Sequence, residues 1–419
     1  MHPKALLLES ASLIEKVFQF AHPADAVVAR HFRENKSLGP RERATLSDTV
    51  FAVLRERLKV EFLARSGTGS KWRRLAILGF PGDRDFLKSA LTDAEKTWLD
   101  TCLSTPADQW LAPHRHNLPD WLAQALSAEL GAEFDALAAS LLQAAPLDLR
   151  VNSLKAKRED ALAALKQAGL QAEPTAWSPL GIRLQGKPSL AKVPAFVQGD
   201  VEVQDEGSQL LAVLLAPKRG EMVTDFCAGA GGKTLALGAA MRNTGRLYAL
   251  DTSGHRLDAL KPRLARSGLS NVHPVAIAHE RDERIKRLAG KMDRVLVDAP
   301  CSGLGTLRRS PDLKWRQTPQ TVAELAELQA RILRSAARLL KPGGRLVYAT
   351  CSLLPQENQA VAQSFSAEQR DFQPLAVDEL LQSAGVANAS ALCTDGCLRL
   401  WPHRHGTDGF FAAVWQRKA

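Results

Sequence analysis

Apolar positions recur with a helical period through the first third of the chain, then give way to short alternating segments and finally to strand-and-helix alternation. Between Ser10 and Asn35, Leu13, Val17, Phe18 and Ala21 share a helical face that His22-Pro23 interrupts. Gly39-Pro40 closes that segment and opens the next. From Arg41 to Leu63, the residues Leu46, Val50, Leu54, Leu58 and Phe62 stand four apart, with Arg55, Arg57 and Lys59 among them. That spacing predicts a helix over the whole stretch. Further helix is expected at 94–103 and 119–143.

After Pro146 a strand is expected at 147–154 and a helix at 158–168, followed by short segments to Gln204, which together make a small α+β unit. From Glu206 onward, apolar strands are expected at 222–226, 247–250, 275–278, 295–297 and 346–348, with helices between them at 257–267 and 321–340. Such alternation predicts a doubly wound parallel sheet of the α/β, Rossmann-like class. The expected division is a helical domain at 1–143, an α+β subdomain at 144–205 and an α/β domain at 206–419. No internal repeat or low-complexity stretch is present.

Hydrophobic and charged fractions of 45% and 24% are ordinary for a globular chain, but the net charge of +10 is not. A basic surplus points to a polyanion, either nucleic acid or an anionic membrane surface. No run approaches 18 apolar residues, and Glu9 and Glu15 break the one N-terminal candidate, so the membrane is set aside and a cytoplasmic protein is expected. The six cysteines (102, 227, 301, 351, 393 and 397) form no CxxC pair, so neither a disulfide framework nor a metal site is indicated. The run Lys71-Trp72-Arg73-Arg74 suits RNA, and equally a solvated turn around a packed indole.

In doubly wound sheets ligands lie beyond the carboxyl ends of the strands, which directs attention to the residues after each one. The first strand runs into Asp225-Phe226-Cys227-Ala228-Gly229-Ala230-Gly231-Gly232-Lys233-Thr234. Three glycines allow close backbone approach to a ligand, and the next helix offers its N-terminal N–H groups. The Gly-Lys-Thr ending resembles a P-loop, yet the position five before the last glycine is Cys227, where a P-loop requires glycine. The second strand ends at Asp251, an acid placed to accept ribose hydroxyls, or to cap a helix, or both. This geometry favours a nucleoside cofactor without choosing between a dinucleotide and S-adenosylmethionine.

The fourth strand ends at Asp298-Ala299-Pro300-Cys301-Ser302-Gly303 and the fifth at Ala349-Thr350-Cys351-Ser352. In a sheet ordered 3-2-1-4-5 both cysteines occupy one rim near the cofactor. C5 of cytosine is a poor nucleophile until a thiolate adds to C6. Asp298 at the N3/N4 edge would stabilise charge developing on the ring, Lys233 could hold O2, and a second thiol could assist release. The base must be unstacked to reach such a site.

These motifs resemble those of the Sun/Nop family of RNA cytosine-C5 methyltransferases. The resemblance rests on Asp225–Thr234, Met292–Gly303, Thr350-Cys351-Ser352 and Pro355-Gln356-Glu357-Asn358. It extends to Arg150-Val151-Asn152 and Val203–Ser208, similar to the family's RNA-binding portion, and to Trp401-Pro402-His403 and Asp408–Phe411. The N-terminal helices resemble, more weakly, the NusB-like RNA-binding domain carried by members that act on bacterial 16S rRNA.

The resemblance implies S-adenosyl-L-methionine as cofactor, RNA as partner, 16S rRNA among RNAs, and a monomer. It assigns attack to Cys351 and release to Cys301, with Asp298 and Lys233 beside them. The residues Cys227, Ala228, Gly229, Ala230, Gly231, Gly232 and Lys233 would line the methionine part of the cofactor, Asp251 its ribose, and Asp298 both cofactor and base. Two departures are visible. Ala230 stands where the family has Pro, and His279 stands where it has an adenine-contacting Asp, with Glu280 and Asp282 close by. A rival reading is an RNA-binding assembly factor with a decayed site, against which the presence of both cysteines, Asp298 and Lys233 argues. The same chemistry on another rRNA or tRNA cytosine is a second alternative.

Overall fold

The computed structural model describes residues 2–106 and 109–419. It divides into two compact units, one of residues 1–144 with 306–318 and one of residues 145–305 with 319–419.

The first unit is helical. Its longest helices, Pro3–Val17 and Pro40–Arg55, bury Leu13, Ile14, Leu46, Val50 and Leu54 together with Leu75 and Ile77 of the helix Lys71–Leu78. Proline begins both long helices, where its missing N–H costs nothing. Thr92 and Glu95 close a capping box at the start of Asp93–Leu103. The helix expected over 41–63 breaks at Glu56 and resumes as Arg57–Leu63. The spacing explains which positions are buried. An exact four-residue interval outruns the 3.6-residue turn by about 40° a step, so the apolar line drifts off the core face. Leu46, Val50 and Leu54 are buried, whereas Phe62 is 44% exposed.

Residues 306–318 belong to this unit although they are far downstream in sequence. Lys314 Nζ donates to Arg55 C=O (2.8 Å) and Trp315 Nε1 to Leu54 C=O (2.9 Å), satisfying carbonyls at a helix end, while Asp312 accepts the Ala24 N–H (3.2 Å). Burial and the neighbouring Arg55 push the Lys314 ammonium down to about 7.

The second unit holds two sheets. The small one comprises β1 (Leu147–Val151), β2 (Ala172–Pro174), β3 (Gly181–Leu184) and β4 (Val201–Val203), ordered β2-β3-β1-β4 and antiparallel throughout. The helix Arg158–Gln167 packs on it through Ala161 and Leu165.

The large sheet contains the parallel strands β5 (Met222–Asp225), β6 (Arg246–Asp251), β7 (Val272–Ala276), β8 (Met292–Asp298) and β9 (Leu340–Thr350). It is extended antiparallel by β10 (Phe372–Pro374), β11 (Cys393–Thr394), β12 (Cys397–Leu400) and β13 (Phe410–Arg417). The path β11-β12-β13-β9-β8-β5-β6-β7 contains the expected order 3-2-1-4-5. The doubly wound expectation therefore holds. The third strand starts three residues earlier than expected because its register with β6 begins at Leu247↔Val272.

Both faces of the central strands are buried. Leu296, Val347 and Ala349 meet Leu210, Leu211 and Leu214 of the helix Glu206–Leu215. Val295, Val297, Leu346 and Tyr348 meet Ile332, Leu333 and Ala336 of the helix Pro319–Ala337. Successive side chains on a strand point to opposite faces, so a two-sided core demands continuous apolar runs. At about 1.5–3 kcal/mol per fully buried aliphatic side chain, this packing holds the strand ends in place. The register Asp298↔Ala349 sets the carboxyl ends of β8 and β9 side by side.

Candidate functional site

The glycine loop leaves β5 with Gly229 at φ +56° and Gly231 at φ +82°, conformations that strain any residue with a Cβ. A Cβ on Gly231 would lie 2.1 Å from Leu260 Cδ1, so close packing also requires glycine there. At Gly229 a Cβ would meet nothing within 4 Å, so the backbone at that point faces open space. The loop is pinned on each side. The Ala228 N–H donates to Leu250 C=O (2.8 Å) and the Gly229 N–H to Asp251 Oδ2 (2.8 Å). Asp251 Oδ1 accepts the Ser253 N–H at 2.7 Å, and the residue is 7% exposed. Its carboxyl group thus fixes the loop while retaining acceptor capacity for a diol.

Beneath the loop, Asp225 accepts from Thr234 Oγ1 (2.7 Å), and its burial pushes the carboxyl up to about 7. Cys227 lies between the loop and the core, and burial raises its thiol well above the usual range. Two arginines hold loop carbonyls. Arg263 donates to Ala230 C=O (2.5 Å), and the buried Arg150 donates to Gly232 C=O (2.7 Å) and to Gln204 Oε1. Arg150, expected within an RNA-binding motif, therefore supports the glycine loop. Its neighbour Asn152 is also turned inward, donating to the carbonyls of Gly199 and Ser267 at 3.0 Å each.

Lys233, the second residue of the helix Gly232–Ala240, reaches Asp298 at the end of β8, with Nζ 2.7 Å from Oδ2 and 5.7 Å from the centre of the Phe410 ring. Burial lowers the Lys233 pKa, but Asp298, with help from Cys351 and Asp225, more than offsets this and raises it overall. Cys301 and Cys351 lie just past the adjoining ends of β8 and β9, and their sulfur atoms stand 3.4 Å apart. Both are half-buried and unbridged. The hydrogen bond to Cys351, with burial next, pushes the Cys301 thiol well above the ordinary range. One rim thus brings together the glycine loop, an acid on each of two strands, a lysine and two thiols.

The residues at the expected adenine position directly follow β7, whose end pairs with Asp251, and the Ile277 N–H donates to Asp251 C=O at 3.0 Å. Asp282 caps a short helix, its oxygens accepting the N–H groups of Ala278 and Arg284 at 2.8 Å each. Glu280 faces Arg331 at 3.5 Å, and His279 is exposed with Nδ1 accepting the Arg281 N–H at 3.1 Å. The basic run near residue 72 is paired within its own unit: Lys71 with Glu61 (2.8 Å) and Arg73 with Glu95 (2.6 Å), while Trp72 packs against the core. These residues open the helix Lys71–Leu78, their charges paired around a packed indole. Among the described residues no group of three or more His, Cys, Asp or Glu is placed to hold a metal ion, and no helix is long and apolar enough to cross a membrane.

Sequence reasoning also left Glu357 without a role. Its motif was visible, but its partners lie up to 55 residues away and no spacing rule reaches them.

Comparison with known proteins gives consistent likenesses. The family described as 16S rRNA methyltransferase RsmB/F matches residues 212–416, and a ferredoxin-like domain described as RsmF/B-like matches residues 118–191. A probable ribosomal RNA small subunit methyltransferase B from Synechocystis is 38% identical over 301 residues, which cover 71% of this chain and 66% of that protein. One of the same description from Bacillus subtilis is 34% identical over 346 residues, covering 82% and 76%. The aligned region thus spans about two thirds of the Synechocystis protein and about three quarters of the Bacillus one. A methyltransferase homologue from Pyrococcus horikoshii, solved by crystallography, superposes with a TM-score of 0.62 at 31% identity, covering 73% of this chain and 97% of that one.

Proposed function

Because the chain belongs to the RsmB/F family of 16S rRNA methyltransferases, we propose that it methylates C5 of a cytosine in 16S rRNA through a covalent cysteine intermediate, with S-adenosyl-L-methionine as cofactor. The observation that carries this reading is the 3.4 Å pair of sulfurs at the ends of β8 and β9, beside the Lys233–Asp298 pair.

The site's own residues fit the cofactor. Gly229 leaves open space over the loop, and Asp251 is fixed by two N–H groups with lone pairs to spare for ribose hydroxyls. When bound there, S-adenosyl-L-methionine supplies an electrophilic methyl group. Residues 227–233 and Asp251 would hold it, and Asp298 would contact both it and the base.

Cys351 attacks as the thiolate. Its sulfur bonds to C6, and the C5=C6 π pair becomes available at C5. Lys233 at O2 stabilises the negative charge that accumulates on the ring, and Asp298 orients the base by accepting from its N4 amino group. Their mutual 2.7 Å contact orients both toward one place before the base arrives. C5 would take the methyl group with its electron pair, the methyl–sulfonium bond breaking and its pair staying on sulfur, so that S-adenosyl-L-homocysteine leaves. A base then removes the C5 proton, the C5=C6 bond re-forms, and the C6–S bond breaks with its electron pair returning to Cys351.

The 3.4 Å separation of the sulfurs suits a division of labour, which the family resemblance assigns as attack by Cys351 and release by Cys301. A thiol held protonated beside the other sulfur can donate its S–H to the departing thiolate and stabilise it.

The test is direct. Cys351→Ala abolishes transfer of labelled methyl groups to unmodified small-subunit rRNA, and Cys301→Ala accumulates a covalent protein–RNA adduct that denaturing gels resolve. Full activity without Cys351 would sink the assignment. Bisulfite sequencing of rRNA from a strain lacking the protein identifies the cytosine. RNA binding without cofactor binding in calorimetry would instead establish an assembly factor.

A further inference from the structure

Glu357 is completely buried, and the chemistry above does not use it. Its side chain accepts four hydrogen bonds, all from neutral groups: Oε1 from the Ser302 N–H (2.8 Å) and Gln329 Nε2 (3.0 Å), Oε2 from the hydroxyls of Ser302 (2.5 Å) and Ser352. Ser302 is the residue after Cys301, and Ser352 the residue after Cys351. Gln329 Nε2 also donates to Pro300 C=O (3.0 Å), on the other side of Cys301. The Glu357 backbone is itself held, its C=O accepting the Tyr348 hydroxyl at 2.5 Å.

A buried carboxyl group without a cation is an expensive way to fill space. What it supplies is two oxygens that accept at several positions at once, a capacity neutral side chains lack. Here that capacity is divided between two chain segments. Past the last ladder bond, from the Ala299 N–H to Ala349 C=O (2.9 Å), the segments that carry the thiols leave the sheet. The Gly305 N–H returns to Cys351 C=O (2.8 Å), and beside the sulfurs the Ser302 and Ser352 hydroxyls lie 3.2 Å apart with Glu357 Oε2 accepting from both. Its neighbour Asn358 serves one segment only, accepting from Thr350 Oγ1 (2.5 Å) and donating to Ser352 C=O (3.0 Å).

We infer that Glu357 is a positioning residue that sets the separation of the two reactive sulfurs by binding the serine next to each, an inference that rests on the reading of Cys351 and Cys301 given above. The carboxyl group touches neither sulfur, so it acts through the backbone of residues 301–302 and 351–352. In the proposed reaction this holds the protonated thiol within reach of the leaving sulfur while C6 occupies the other. Loosening the link would slow turnover without removing any group that contacts cofactor or RNA.

The experiment separates positioning from chemistry by reading the thiols directly. Glu357→Gln keeps the shape and one carbonyl oxygen, but sets an amide N–H₂ where both serine hydroxyls now donate. The full-length protein is equilibrated with oxidised and reduced glutathione. Two protein thiols and one glutathione disulfide give one Cys301–Cys351 disulfide and two glutathiones, and mass spectrometry measures the fraction closed. From 3.4 Å the sulfurs need approach by only roughly 1.4 Å to bond, so the wild-type pair closes readily. In Glu357→Gln the equilibrium constant falls roughly tenfold or more, the scale of losing a buried hydrogen bond.

In parallel, kcat for methyl transfer to unmodified small-subunit rRNA falls by roughly the same factor, while KM for RNA and calorimetric cofactor affinity stay within about twofold. Ser302→Ala and Ser352→Ala each remove one strut and show the same split to a smaller degree, and they carry the comparison if Glu357→Gln fails to fold. An unchanged thiol equilibrium in a folded Glu357 variant, or in both serine variants, overturns the inference. So does a wild-type pair that never closes, or a loss of activity that tracks cofactor affinity. A wild type that transfers no methyl group would overturn the proposed function instead, and the glutathione equilibrium would still decide the role of Glu357.

Discussion

Replacing Asp225 by Asn probes the electrostatics under the glycine loop. Asp225 is 1% exposed, with Oδ2 taken by Thr234 and Oδ1 without a partner among the described residues. Burial dominates, raising its pKa from 3.8 to about 7 against the smaller lowering by Thr234. The sign comes from proton counting. Between roughly pH 4 and 7 the unfolded chain has lost this proton and the folded protein keeps it. Folding then binds a proton, so stability falls as pH rises across that window and stays depressed above it. A shift of about three units corresponds to roughly 4 kcal/mol, lost in full above pH 7.

The amide introduced by Asp225→Asn cannot ionise and still accepts from Thr234, but it buries an N–H₂ group at a pH-independent cost of about 1–3 kcal/mol. Urea unfolding followed by tryptophan fluorescence at pH 4.5 and 8.5 measures both effects. The variant is less stable than wild type at the lower pH. Relative to wild type it gains about 2–4 kcal/mol by the higher pH. Stability curves that run parallel across that range would refute the argument and show that Asp225 is ionised in the folded protein.

Three further outcomes are expected. Gly305→Ala would set a Cβ 2.2 Å from Gly409 C=O and 2.8 Å from Cys351 C=O, both backbone, so differential scanning calorimetry should show a loss of about 1–3 kcal/mol together with reduced methyl transfer. Arg150→Lys shortens the reach of a buried donor whose Nη1 serves both Gly232 C=O and Gln204 Oε1. Cofactor affinity in calorimetry should fall about tenfold, with RNA affinity changed far less. Arg73→Ala breaks its paired contacts with Glu95, whose carboxyl that partner holds down at about 2. It should cost stability, about 1 kcal/mol, and leave the salt dependence of RNA binding untouched; a shallower slope would restore the RNA-binding reading of the run.

Much of the α/β core was legible because two-sided burial leaves a strong trace. Val295-Leu296-Val297 and Leu346-Val347-Tyr348 are unbroken apolar runs that only a sheet covered on both faces requires. The glycine loop, Asp251, Asp298 and both cysteines were legible from their places at or just past the strand ends. The helical unit was less legible. The even spacing from Leu46 to Phe62 suggested continuity, yet a period of four rotates off the core and the chain breaks at Glu56. Residues 306–318 gave no sign of joining that unit, since local pattern does not reveal which distant helix end needs its carbonyls capped.

By itself, the sequence determined the sheet, its strand-end loops and the kinds of chemical group they carry, because periodicity and short motifs are local properties that a few neighbouring residues encode. Only the tertiary structure decided how those groups meet. Strand pairing brings Cys301 to Cys351, 50 positions apart, and Lys233 to Asp298 across 65. It set Arg150, part of a motif similar to the family's RNA-binding portion, as a support for the glycine loop, and it brought Glu357 to two serines. Hydrogen bonds need atoms within about 3 Å in a suitable direction, and for residues this far apart in sequence only the folded sheet supplies that.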